Sequence, residues 1–275
     1  DINFTISDSS NEFSFICTPL LISIIRNNFN VVELLLKQPN ADVNTEVIFS
    51  DWSKKFETSN ALIFTVINNN PNMTKLLLYN CNINVNSSVI LKDKIENDQF
   101  QIDEYYPLHE AIMSDNNVIL KLLLLKNDID VNVKQKVSHF SGDGSQCSLL
   151  EKKTCLQSAI ENTNINAIKL LLNNPNIDVN KYSTFYQEKK NIKQTPLNAA
   201  IVSKEVEIAK SLLKHPNIDV NKISIIINDT KTIMKTPLNA AISINNYKLT
   251  KLLLKNPNID VNKITTIVNN EKTIK

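Results

Sequence analysis

A chain of 275 residues with 30 Lys and Arg against 28 Asp and Glu carries a net charge of +2, too little to argue for nucleic acid on charge alone. Two glycines exclude phosphate-cradling loops, which need several at fixed spacing, and four scattered cysteines without a Cys-x-x-Cys pair point to packing or exposed thiols, not metal. No run approaches the roughly 18 apolar residues that cross a bilayer, and the first thirty residues hold no basic-then-apolar leader, so an intracellular, cytoplasmic chain is expected.

Read in chain order, one 27-residue unit recurs six times without a gap. It opens at Thr18, Asn60, Tyr106, Thr154, Thr195 and Thr236, and a leucine-rich triplet begins sixteen residues later. It closes on Asp-Val-Asn or Asn-Val-Asn from Asp42, Asn84, Asp130, Asp178, Asp219 and Asp260. Fixed internal spacing between variable spacers means one structural unit, copied.

Each unit predicts two short helices. Thr18, Asn60, Thr154, Thr195 and Thr236 cap the first, because a side-chain oxygen accepts from the orphan N–H groups of the first turn. Pro19, Pro107, Pro196 and Pro237 then occupy the position where a missing N–H costs nothing. Small residues such as Ala199, Ala200, Ala240 and Ala241 allow close stacking. The second helix carries apolar pairs at i, i+4 (Val31 with Leu35, Val32 with Leu36, Ile208 with Leu212, Ala209 with Leu213), giving one buried stripe. Pro39, Pro175, Pro216 and Pro257 stand just past its end, where proline blocks further winding.

Spacers of 15, 19, 21, 14 and 14 residues separate the units. Lys222–Lys235 reads as two β-rich halves around a polar Asn-Asp turn, a hairpin signal. The chain opens on Asp1-Ile2-Asn3, like the tail of an earlier unit, and closes on Lys263-Ile-Thr-Thr-Ile, matching Lys222-Ile-Ser-Ile-Ile. The expected organisation is therefore a tail and finger at 1–17, six repeats over 18–262 and a partial finger at 263–275 of a longer array.

Thr236-Pro-Leu-Asn-Ala-Ala, then Lys251-Leu-Leu-Leu, then Asp260-Val-Asn resembles the ankyrin repeat, and the resemblance covers essentially the whole chain. It implies an all-α repeat solenoid of paired antiparallel helices with long β-hairpin fingers. Ankyrin repeats turn between their helices on a glycine; that position here holds Asn27, Asn69, Asp115, Thr163, Lys204 and Asn245, so asparagine takes over a left-handed turn it tolerates better than most residues. His109 matches the family histidine that bonds between repeats, while His139 and His215 lie in a finger and at a helix end. None has a visible nucleophile beside it, so no enzyme, catalytic residue, cofactor or metal site is expected.

Stacked repeats offer an extended concave surface, so the expected role is a monomeric scaffold that binds a protein partner through that face and its fingers. Phe49, Trp52 and Phe56, interleaved with Lys54 and Lys55, either anchor a partner or pair across the first full finger. Tyr182, Phe185 and Tyr186 in the fourth finger form a second candidate patch. Resemblance to the family also makes Asn44, Asn132, Asn180, Asn221 and Asn262 conceivable hydroxylation sites beside a structural role in the turn. The early fingers sum to negative charge and the later four to positive, which either orients a charged partner or reflects solvated tips. Two alternatives stand beside the scaffold: a regulatory or tethering segment of a larger channel or enzyme, and binding of anionic lipid or nucleic acid by the basic later fingers.

Overall fold

The structure, a computed structural model, describes residues 3, 6–10, 13–47, 49–51, 59–94, 100–140, 147–187 and 189–269. The chain forms two compact units, Asp1–Asp130 with Gln135–Leu149 and Val131–Lys134 with Leu150–Lys275.

In the first unit, strands β1 (Ile6–Ser10) and β2 (Phe13–Cys17) lead into helices α1 (Pro19–Ile25) and α2 (Phe29–Leu36). β3 (Phe49–Asp51) precedes α3 (Ala61–Ile67) and α4 (Pro71–Leu78); β4 (Val89–Lys94) and β5 (Phe100–Tyr105) precede α5 (Pro107–Met113) and α6 (Asn117–Leu124); β6 (Lys134–Phe140) follows. β1, β2 and β3 pair antiparallel in that order, as do β4, β5 and β6.

The second unit repeats the plan. β7 (Cys147–Thr154) leads into α7 (Cys155–Glu161) and α8 (Ile165–Leu172). β8 (Ser183–Gln187) and β9 (Lys190–Gln194) precede α9 (Pro196–Val202) and α10 (Val206–Leu213); β10 (Ser224–Ile227) and β11 (Lys231–Lys235) precede α11 (Pro237–Ser243) and α12 (Tyr247–Leu254), and β12 (Ile267–Asn269) closes the described chain. Strands β7 to β12 pair antiparallel with their sequence neighbours. Paired helices joined by hairpin fingers are the architecture expected from the repeat.

The caps set where each pair begins. Thr18, Asn60, Thr154, Thr195 and Thr236 all accept the N–H three residues on, and proline follows at the first or second helical position in α1, α5, α9 and α11. Tyr106 makes no such bond; its hydroxyl donates to Glu104 Oε1 at 2.7 Å. Between the helices, Asn27, Asn69, Asp115, Thr163, Lys204 and Asn245 take φ of 51–62°, the left-handed turn the sequence assigns them. The next residue caps the second helix with its side chain in five pairs (Asn28, Asn70, Asn116, Asn164, Asn246), while Glu205 makes no cap bond.

The core lies between successive pairs, α3 on α5 and α4 on α6 in one unit, α7 on α9 and α9 on α11 in the other. Met73, Ile119, Ala167, Ile208 and Leu249 hold one repeat position and are all buried, as are Leu77, Leu123, Leu171, Leu212 and Leu253. The first copy departs from the expected stripe: Val31 is 37% exposed and Leu35 half-buried, because among the described residues no helix pair precedes α1 to cover that flank.

Candidate partner-binding surface

Alternation along paired strands sends directly opposed residues to one face of a sheet. In the second unit Glu151, Phe185, Ile192, Ile226, Ile233 and Ile267 form one such row across β7 to β12. Lys153, two residues along from Glu151, identifies what this face looks at. Its Nζ reaches Glu151 Oε2 at 2.9 Å and Glu161 Oε2 at 3.0 Å, and Glu161 ends α7, so this is the palm side, facing the first helices. Burial works against the Lys153 charge, but hydrogen bonding and the two carboxylates overcome it and hold its pKa above the usual lysine value. The same ammonium lies 5.8 Å from the Phe185 ring centroid. Phe185, Ile192, Ile226 and Ile233 are half-buried, and Ile267 is exposed. Val202, the counterpart of Glu161 in the next repeat, exposes an apolar side chain at the end of α9.

The rear of the sheet is chemically different. Lys152, Thr184, Lys193, Ile225 and Met234 oppose one another in one row, and Tyr186, Asn191, Ile227, Thr232 and Val268 in another. Tyr182, at the same parity as Thr184 and Tyr186, donates its hydroxyl to the Ile223 carbonyl at 2.8 Å. Its ring carries two ammonium groups, Lys193 Nζ at 4.6 Å and Lys222 Nζ at 4.7 Å from the centroid. Burial, with the Asp219 charge, raises the Tyr182 phenol above its ordinary pKa. The three residues of the fourth-finger patch thus divide between faces: Phe185 on the palm, Tyr182 and Tyr186 on the rear.

In the first unit the inner helices supply the apolar surface. Ile25 and Met113 are exposed at equivalent helix ends, with Ile67 half-buried between them in sequence. A solvent-open cleft of about 170 Å³ lies between the ends of α1 and α3, lined by Ile24, Ile25, Phe64, Thr65 and Asn68 among others. Phe49 stands in β3, while Trp52, Lys54, Lys55 and Phe56 lie outside the described residues. On the neighbouring finger, Glu104 is half-buried; burial disfavours its charge, yet bonds from Lys136 at 2.7 Å and Tyr106 keep its pKa low.

A profile described as ankyrin repeats in three copies matches residues 108–224 and 187–265, and a single ankyrin repeat profile matches 15–45. The chain belongs to the ankyrin repeat family. Solved ankyrin structures resemble it in fold. The ankyrin repeat domain of Bcl-3, a member of the IkappaB protein family, aligns with a TM-score of 0.57 at 17% identity, over 88% of this chain and 86% of that one. The ankyrin repeat protein EF0377 aligns at 0.54 and 18% identity, and the ankyrin repeat domain ABAYE2397 from Acinetobacter baumannii AYE at 0.52 and 19%; each pairing covers 86% of this chain and 96% of the other. No curated protein matches.

Within this ankyrin array the asparagines that close each repeat tie it to the next. Asn44 Nδ2 donates to the Asn82 carbonyl at 2.7 Å while its Oδ1 accepts from the Asn84 N–H at 2.7 Å. Asn132, Asn180 and Asn221 make the same pair with the following connector, on residues 176 and 178, 217 and 219, and 258 and 260. Asn3 and Asn86 do likewise. The turn itself is closed by the preceding Asp, as Asp219 Oδ1 accepts the Asn221 N–H. Asn262 keeps the equivalent backbone bond to Asp260.

The remaining reactive groups have structural settings. His109 is fully buried, and His215 Nδ1 accepts the Asn217 N–H at 3.2 Å. Cys17 is buried, and that burial pushes its thiol up to about 11. Among the described residues no cluster of three His, Cys, Asp or Glu could hold a metal, and no helix is long and apolar enough to cross a membrane.

Proposed function

We infer that this chain is a protein-interaction scaffold that holds its partner on the palm side of its fingers. The row Phe185, Ile192, Ile226, Ile233 and Ile267 carries the reading. Five apolar side chains aligned across five strands form a continuous strip, whereas a solvated finger would place polar residues there. Val202, at the end of α9, exposes a further apolar side chain. Ankyrin repeats generally serve protein–protein interaction, which supports the same role.

The test is affinity capture followed by a binding titration with the captured protein. Ile226→Ser with Ile233→Ser, two half-buried substitutions, should leave the melting curve nearly unchanged and weaken binding by about tenfold or more, the scale of losing two apolar contacts. Trp52→Ala with Phe56→Ala tests the first-finger aromatics separately. A partner retained at wild-type affinity by the Ile226/Ile233 variant contradicts the palm strip.

A further inference from the structure

The rear face of the finger sheet in the second unit has a chemistry that the palm strip does not use. Lys152 and Lys193 stand in one row with Thr184 between them, about 10 Å apart at two strand spacings. Lys193 and Lys222 share the Tyr182 ring, and Lys181 precedes that tyrosine in sequence. Lys134, the first residue of β6 and itself part of the second unit, feels the same charges: burial lowers its pKa first, then the charges of Lys181, Lys152 and Lys193. Among the described residues none of these five lysines forms an ion pair within 4 Å.

Two acids whose charges act on the cluster are also engaged by the backbone. Asp178 acts on Lys134 and Asp219 on Tyr182, but each gives a carboxylate oxygen to a backbone N–H, of Asn180 and Asn221. Five ammonium groups against two such carboxylates leave a local positive excess in a protein of almost balanced charge. Next to it, toward the finger tips on the same face, Tyr186 is 45%, Ile227 42% and Val268 51% exposed. A surface half ammonium and half aliphatic has a specific complement.

We propose that this rear face docks an acidic amphipathic polypeptide segment, its carboxylates on Lys134, Lys152, Lys181, Lys193 and Lys222 and its apolar side on Ile227 and Val268. Nucleic acid is the competing polyanion, and three observations disfavour it. Tyr182, the ring inside the cluster, already holds two lysine ammonium groups at 4.6 and 4.7 Å from its centroid and is bonded through its hydroxyl, so a stacking base would compete with them for the ring. The exposed apolar residues beside the lysines would stay bare against a phosphate backbone. Arg26 is the only arginine in the chain, and the bidentate forks that suit phosphate are absent from the cluster.

The experiment uses the full 275-residue chain and a fluorescein-labelled Glu/Leu amphipathic peptide, read by anisotropy, with a single-stranded oligonucleotide of matched charge as the second probe. Peptide binding should weaken about tenfold on Lys152→Glu with Lys193→Glu and severalfold on Ile227→Ser with Val268→Ser, and be unchanged in the palm variant Ile226→Ser with Ile233→Ser. That last variant separates this face from the palm reading: either surface can fail alone. Lys193→Gln, a single exposed neutralisation, supplies a milder arm if the double reversal perturbs folding, and should weaken the peptide about twofold to threefold. Oligonucleotide bound more tightly than peptide and indifferent to Ile227→Ser with Val268→Ser overturns the acidic-segment assignment. Peptide affinity unchanged in both lysine variants overturns the site itself.

Discussion

Thr163 and Lys204 sit in the left-handed region at φ of 51° and 62°, where a Cβ approaches the following carbonyl. Asn and Asp at the four equivalent turns tolerate this better than a β-branched threonine. Thr163→Gly should therefore stabilise the chain by about 1 kcal/mol, read as a higher urea midpoint at unchanged slope; Asn27→Gly should do much less. Glu110 on α5 makes a different point. Burial pushes its carboxyl up to about 7, against 4.5 for the free side chain. Between those values the native state binds the proton that the unfolded chain has lost, so stability falls as pH rises through that window and levels off above it. Glu110→Gln should match the wild type near pH 4 and exceed it near pH 8 by on the order of 1–3 kcal/mol in chemical denaturation. A variant equally stable relative to wild type at both pH values contradicts the buried carboxylate.

At the scale of elements, the asparagine ladder and the leucine stripe do the joining. Asn180 exchanges two bonds with the next connector, so Asn180→Ala should cost about 1–3 kcal/mol, while Asn262→Ala, whose side chain no described connector follows, should stay within about 0.5 kcal/mol. Leu171→Ala empties a fully buried site on α8 and should cost about 2–5 kcal/mol. The helices were readable in the sequence because their signals are local: Thr154 caps Gln157 three residues on, and Asn245 turns where it stands. The ladder was not, because Asn44 finds its partners 38 and 40 residues away and Asn132 finds its own 44 and 46 away. Spacers of unequal length hide that constancy from any fixed-offset reading.

The whole molecule puts chemistry where neighbouring hairpins meet. Hairpins were legible from Ser224–Ile227 and Lys231–Lys235 around Asn228, whose Oδ1 accepts two backbone N–H groups. The isoleucine strip was not, because Ile192, Ile226 and Ile267 belong to separate fingers and only the strand register brings them into one row. Aromatic content groups Tyr182, Phe185 and Tyr186 as one patch, whereas alternation divides them between two faces. The basic residues of the later fingers divide in the same way: Lys152 and Lys193 stand on the rear face with Tyr182, while alternation puts Lys190, Lys231 and Lys235 on the face of the isoleucine row.

Ile226 and Ile227 are adjacent in sequence and point to opposite faces of β10, which makes them a direct probe of where the principal partner sits. A photo-crosslinking amino acid placed at either position, in the full chain bound to its captured partner, reports that face alone. The palm account predicts a covalent adduct from position 226 and little or none from 227. Adducts from 227 without 226, or from neither, contradict it.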